Sequence, residues 1–233
     1  SKDSIFPLWM NRRYALVRSS YPNLITPPFY KNVDRAAGTS FFTASKNGYY
    51  GILDTTGKEK IKMEYNRPTI CLDQATQKTC VYFKKTGEQI LVDELGNIIG
   101  KGFPTIKEIF GGFVIVRPDY QDTSEKRMYY TQEDKYVKYG LMDLKGNWIE
   151  KPDLKQYYGI YGRLFYIQDY YKQDKGKFYD LKLNPLDGKE YDDVRFGSSL
   201  KNDTLKNLKR IIAYNKEFIW LLDSNGKELK KDV

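Results

Sequence analysis

The sequence predicts an all-β protein: a tandem array of about six three-stranded hairpin or meander repeats forming one domain, residues 1-233. Three observations carry that expectation. A phrase recurs in which an apolar run meets an Asp, two variable residues follow and a Gly closes: Ile52-Leu53-Asp54-Thr55-Thr56-Gly57, Leu91-Val92-Asp93-Glu94-Leu95-Gly96, Leu141-Met142-Asp143-Leu144-Lys145-Gly146 and Leu221-Leu222-Asp223-Ser224-Asn225-Gly226. Asp at the first position of a type I turn accepts from the backbone two residues on, and Gly at the fourth takes positive φ without a Cβ penalty. The chain is also rich in aromatics, with 21 Tyr and 12 Phe, which favour strands. Finally, Asp54, Asp93, Asp143, Asp180 and Asp223 are spaced 39, 50, 37 and 43 residues apart, a period in the range of solenoid or propeller units. An open, twisted, solenoid-like array is expected, with a closed propeller-like ring as the alternative.

The copies follow in order. The first, residues 1-35, is degenerate: Tyr14-Ala15-Leu16-Val17 arrives, and Ile25-Thr26-Pro27-Pro28-Phe29-Tyr30 departs, its prolines keeping it out of a central strand. The second, 36-72, is the most complete, with a tight Asn47-Gly48 hairpin, the Asp54 to Gly57 turn and a departing Ile61-Lys62-Met63-Glu64-Tyr65. Asn-Gly between apolar runs is a strong hairpin signal. The third, 73-108, pairs Thr79-Cys80-Val81-Tyr82-Phe83 with Gln89-Ile90-Leu91-Val92. The fourth, 109-155, starts at Phe113-Val114-Ile115-Val116 and carries a polar insertion, Pro118 to Val137, before Tyr139-Gly140-Leu141; insertions in repeats lie on one face and often bind. The fifth, 156-197, shows Leu183 where the turn glycine belongs, and the sixth, 198-233, runs from Ile211-Ile212-Ala213-Tyr214 to Gly226. Residues 198-209 read equally as a short helix or a loop.

Tyr50-Gly51-Ile52-Leu53-Asp54-x-x-Gly57-Lys58 and Tyr139-Gly140-Leu141-Met142-Asp143-x-x-Gly146 resemble the WG repeat, also called the KWG repeat, of bacterial proteins. That unit reads Trp-Gly, an aliphatic pair, Asp, two variable residues, Gly and Lys. The resemblance spans roughly residues 12 to 230, with Tyr in place of Trp and without the aromatic-Gly pair at Gln89-Ile90 and Ile219-Trp220. It implies a β-rich repeat scaffold that binds and does not catalyse.

The residue inventory points the same way. There is no His, so the commonest general base, the usual triads and His-based metal sites are absent. Gly57-Lys58, Gly188-Lys189 and Gly226-Lys227 lack the Ser or Thr of a phosphate loop, and Asp187, Glu190, Asp192 and Asp193 match no calcium-loop spacing. No enzyme activity, cofactor or metal is expected. No apolar run approaches the ~18 residues of a membrane span. The chain begins at Ser1 without an initiator Met, so a removed leader and a periplasmic or envelope-attached location are expected, with the cytoplasm as the alternative. Cys71 and Cys80 fall opposite each other if Asp73 to Lys78 closes a hairpin, within near reach of a disulfide. A bond in an oxidising compartment is expected; two buried thiols in the cytosol are the alternative.

Lys and Arg exceed Asp and Glu by 9, which suits solubility and also an anionic partner. Tyr-Tyr pairs at 49-50, 129-130, 157-158 and 170-171 suggest one ring in the core and its neighbour outside. Tyr157, Tyr158, Tyr161, Arg163, Tyr166, Tyr170, Tyr171 and Lys172 are the candidate partner-binding residues, together with the insertion, as an exposed aromatic-basic patch of the kind that anchors interfaces. The competing reading is that the rings fill a β core. Interleaved Lys and Tyr also suit single-stranded nucleic acid, but acidic residues are mixed throughout and no recognition motif appears. The expected partner is another protein, specifically a secreted toxin to which the chain is an immunity-type inhibitor. The alternative is an envelope module that binds an anionic polymer or cell-wall glycan.

Overall fold

The computed structural model describes residues 4–20, 24–35, 37–73, 75–85, 88–117, 138–153, 155–172, 175–196 and 209–232. The Pro118 to Val137 insertion and most of the 198-209 stretch lie outside them. The described residues form an all-β protein of six small antiparallel sheets, none closed into a barrel, each made of strands consecutive in sequence. Sheet A holds β1 (Ile5–Met10) and β2 (Arg13–Arg18); sheet B holds β3 (Asn32–Arg35), β4 (Phe42–Lys46), β5 (Tyr49–Leu53) and β6 (Glu59–Tyr65). Sheet C holds β7 (Thr69–Asp73), β8 (Lys78–Lys85), β9 (Glu88–Val92) and β10 (Ile98–Phe103). Sheet D holds β11 (Thr105–Phe110), β12 (Phe113–Arg117), β13 (Tyr139–Asp143) and β14 (Trp148–Asp153). Sheet E holds β15 (Lys155–Ile160), β16 (Leu164–Asp169) and β17 (Lys175–Tyr179), and sheet F holds β18 (Asp193–Phe196), β19 (Ile211–Tyr214), β20 (Ile219–Leu222) and β21 (Glu228–Asp232). No helix among the described residues is long and apolar enough to cross a membrane.

Four of the six sheets thus have four strands where three were expected. The additional strand is the first of each. In β3, Asn32-Val33-Asp34-Arg35, only Val33 is buried, so the segment carries too little apolar pattern to read as a strand.

The Asp-led turns form as their chemistry requires. In each, the Asp amide donates to the carbonyl four residues on: Asp54 to Lys58 at 2.9 Å, Asp93 to Asn97 at 3.0 Å, Asp143 to Asn147 at 2.9 Å and Asp223 to Lys227 at 2.9 Å. The carboxylate accepts from within the turn, Asp54 Oδ1 taking the Thr56 and Lys58 amides at 2.8 and 3.0 Å. These bonds and the Thr56 hydroxyl outweigh desolvation and hold the Asp54 carboxyl below its usual range. Gly57, Gly96, Gly146 and Gly226 all have positive φ, and Leu183, after Asp180, adopts φ 65° in the same place. Asn47-Gly48 closes β4 onto β5 with φ of 53° and 85°. The aromatic-Gly pair has its own reason: a Cβ on Gly51 would sit 2.4 Å from the Ile61 carbonyl oxygen, beside a bulge in the β5–β6 ladder.

Two compact units divide the chain. Unit 1 comprises Ser1–Leu72, Gln77–Pro104 and Leu144–Gly146; unit 2 comprises Asp73–Thr76, Thr105–Asp143 and Asn147–Val233. Within unit 1, sheet B is packed on both faces. Phe42, Ala44 and Leu53 meet Leu16 of sheet A, while Phe41, Ile52 and Ile61 meet Val81, Phe83 and Ile90 of sheet C. Within unit 2, sheet E is packed the same way: Tyr157 and Phe165 meet Phe110, Ile115 and Leu141 of sheet D, and Ile160, Tyr166 and Phe178 meet Ile211, Ala213 and Trp220 of sheet F. Each fully buried side chain of this size contributes about 1.5–3 kcal/mol of transfer free energy.

The disulfide expected between Cys71 and Cys80 is not present. The Cys71 thiol instead donates to the Cys80 carbonyl oxygen at 3.1 Å. A cross-strand Cβ spacing of ~4.5–5.5 Å exceeds the ~3.8 Å a relaxed disulfide prefers, so the ladder does not by itself bring the sulfurs together.

Candidate partner-binding site

The strand register of sheet E sorts the sequence-predicted residues. Lys155, Asp169 and Lys175 form one row across β15, β16 and β17; Tyr157, Ile167 and Lys177 form the next; Gly159, Phe165 and Tyr179 form the third. Directly opposed residues share a face and the period is two, so all three rows face sheet D. The third row is aromatic core, whereas the first is charged. Where the core gives out, a cleft of about 290 Å³ opens, lined by Lys155, Ile167, Asp169, Lys172, Lys175, Lys177, Tyr179 and Leu183 with Glu150 of β14 and Glu190.

Its charges are matched. Lys155 pairs with Glu150, Lys172 and Lys177 lie 3.5 and 3.4 Å from Glu190, and Lys175 lies 3.9 Å from Asp192. Burial pulls the Lys155 ammonium down, but Glu150, with Asp153 and Asp169, outweighs it and raises the pKa. Glu190 is held low because Lys177 and Lys172 outweigh its desolvation. Beneath the cleft the Tyr157 hydroxyl donates to Glu150 Oε2 at 2.7 Å; burial first, and this bond second, push its pKa well up.

The expected exposed aromatic patch needs correction. Tyr157 and Tyr166 are 0% and 4% exposed, because sheet E is covered on both faces and neighbouring rings turn into two different cores. Tyr158 is half-buried against the sheet F side, with the Lys107 ammonium 5.6 Å from its ring and 4.3 Å from that of Tyr139. Tyr161 takes φ 49° in the β15–β16 turn, and its hydroxyl donates to the Arg210 carbonyl at 2.9 Å. Arg163 is exposed and bonds Asn225 Oδ1 at 2.9 Å. Tyr170, Tyr171 and Lys172 form a single 3-10 turn between β16 and β17, the side chain of Tyr170 lying outside what is described. Tyr171 is 67% exposed and adjoins Lys172 of the cleft. The structure therefore brings Lys172 to the cleft, leaves Tyr171 beside it in sequence, and places Tyr157 and Tyr166 in the core.

Sequence reasoning missed Glu150, Asp169, Lys175 and Lys177, and weighed Glu190 only as a calcium ligand. The Lys-x-Lys alternation of β17 was the available signal, since it puts two cations on one face. The four carboxylates weighed for calcium have other partners: Asp187 accepts the Tyr191 hydroxyl at 2.9 Å, Asp193 that of Tyr214, Glu190 and Asp192 the lysines. A wider depression of about 570 Å³ at the β19–β20 turn, bounded by Tyr214, Phe218 and Ile219, includes none of the predicted residues.

No protein-family model matches the chain, and no curated protein matches it in sequence. Among solved structures it is similar to an uncharacterized protein of Listeria monocytogenes, 11% identical with TM-score 0.38 over 100% of this chain and 79% of that one. It is also similar to apo AztD of Citrobacter koseri, 12% identical with TM-score 0.35 over 94% and 66%. A form of KlHsv2 with loop 6CD replaced by a Gly-Ser linker is 9% identical with TM-score 0.36 over 85% and 64%. The chain spans less than two thirds of the length of the latter two. Likeness at this level assigns neither a family nor an activity.

Proposed function

We propose that the chain is a non-catalytic protein-binding module of the WG-repeat type, its six sheets being successive copies of one repeat. The observation that carries the reading is the cleft of alternating, mutually paired Lys and carboxylate side chains, with a solvent-exposed tyrosine, Tyr171, directly preceding its Lys172 in sequence. An aromatic anchor beside oriented charges is the composition of a protein interface, where charges set register and encounter rate and the ring supplies affinity. The specific form is an immunity-type inhibitor of a secreted bacterial toxin. The other form, recognition of an anionic polymer, draws on the net charge of +9, but lysines already matched by carboxylates leave a weak positive field in the cleft.

The test is affinity capture from extracts of the source organism with the wild-type chain and a Tyr171→Ala/Lys172→Ala variant in parallel. A protein retained by the wild type alone, and forming a stoichiometric complex by calorimetry, supports the reading. Identical recoveries from both would remove the cleft as the site.

A further inference from the structure

Cys71 lies on β7, the edge strand of sheet C, and Cys80 on its neighbour β8. The Cys71 sulfur is 3.1 Å from the Cys80 carbonyl oxygen, so the two residues meet across the strands. Their accessibilities differ: Cys71 is half-buried, whereas Cys80 is 5% exposed. Two residues on from Cys71, and on the same side of the strand, Asp73 anchors the end of β7 by accepting the Ala75, Thr76, Gly111 and Gly112 amides at 2.8 to 3.3 Å.

We propose that Cys71 and Cys80 are a reversible thiol–disulfide couple, oxidised by low-molecular-weight disulfides and reduced by low-molecular-weight thiols, that pins β7 to β8 when closed. A bond between them must shorten the cross-strand Cβ spacing below the ~4.5–5.5 Å of the relaxed ladder. The anchored end of β7 resists that movement. A disulfide strained in this way is readily reduced, the property of switching bonds and not of constitutive ones.

The exposure difference sets the order of events. The Cys71 thiolate attacks one sulfur of the external disulfide, whose S–S bond breaks; one external thiol leaves with the electron pair and takes up a proton. Cys80, giving up its own proton, attacks the Cys71 sulfur of the mixed disulfide, and the second external thiol leaves. Two protein thiols are oxidised and one external disulfide is reduced to two thiols.

The experiment places the full chain in glutathione buffers from fully reduced to fully oxidised, blocks remaining thiols by alkylation and reads the intact mass. In oxidised buffer the wild type is expected to lose both alkylation sites together without a lasting glutathione adduct, and to regain both in excess reduced glutathione. Cys80→Ser should hold one glutathione on Cys71, and Cys71→Ser should remain unmodified. A wild type that stays a dithiol throughout, that accumulates the adduct, or whose bond survives excess reduced glutathione would each overturn the proposal. The wild-type readings decide the matter even if either serine variant fails to fold.

Discussion

Tyr157 and Tyr171 come from one tyrosine-rich stretch and end in opposite environments. Tyr157 sits mid-strand in a sheet covered on both sides, is fully buried, and has its hydroxyl on Glu150. Tyr171 sits where β16 has ended, is 67% exposed, and its backbone amide donates to Asp169 Oδ1 at 3.0 Å. Position relative to the strand end, not residue type, separates a ring that fills the core from a ring left in solvent. Changes at the first kind of position should therefore alter stability, and changes at the second, under the proposed binding role, should alter affinity.

The largest effect is expected at Tyr157→Ala, about 4 kcal/mol of destabilisation from cavity formation, with Tyr157→Phe limited to about 1 kcal/mol for the lost hydrogen bond. Denaturant titration checks both. An alanine variant as stable as the wild type would abolish the distinction.

Next is Asp73, 2% exposed, compared with the half-buried turn aspartates. Burial raises its pKa, but the four backbone donors, Gly111 and Gly112 foremost, outweigh that and hold the carboxyl low. Asp73→Ala should destabilise by about 3 kcal/mol because it strands buried amides. A depressed folded pKa stabilises fully above the unfolded value of about 3.9 and loses that contribution as pH falls through the lower folded value. The wild type should therefore lose stability on acidification below about pH 4, and the variant should lose less over the same window. Equal acid sensitivity would show that the carboxylate is not held as described.

Gly57→Val is expected to cost about 2 kcal/mol, because φ is 81° and a Cβ would lie 2.5 Å from Thr26 Cγ2. Leu183 tolerates the same region of φ because its side chain packs on the Phe110–Phe165 cluster, which offsets the strain. A Gly57→Val chain that melts like the wild type would show that these turns do not need the left-handed residue.

What the sequence revealed was local. The Asp-led turns and the Asn47-Gly48 hairpin are encoded within a few residues, so their chemistry was readable. Burial of Tyr157 and Tyr166 was not, because alternating aromatics read alike whether one face of a strand is covered or both. The bonds from Gly111 and Gly112 to Asp73 join residues far apart in sequence. The polar first strand of sheet B carries no period-two signal, and the cleft arises only when Glu150 and Glu190 come to β17.

The smallest stability effect belongs to Tyr171→Ala, within about 0.5 kcal/mol, so this variant separates binding from folding. Calorimetry against the captured partner, with thermal melts of the same samples, should show a loss of affinity of about 30-fold, or about 2 kcal/mol, at an unchanged melting temperature. An unchanged dissociation constant in a variant that melts like the wild type would contradict the assignment of binding to this edge of the cleft.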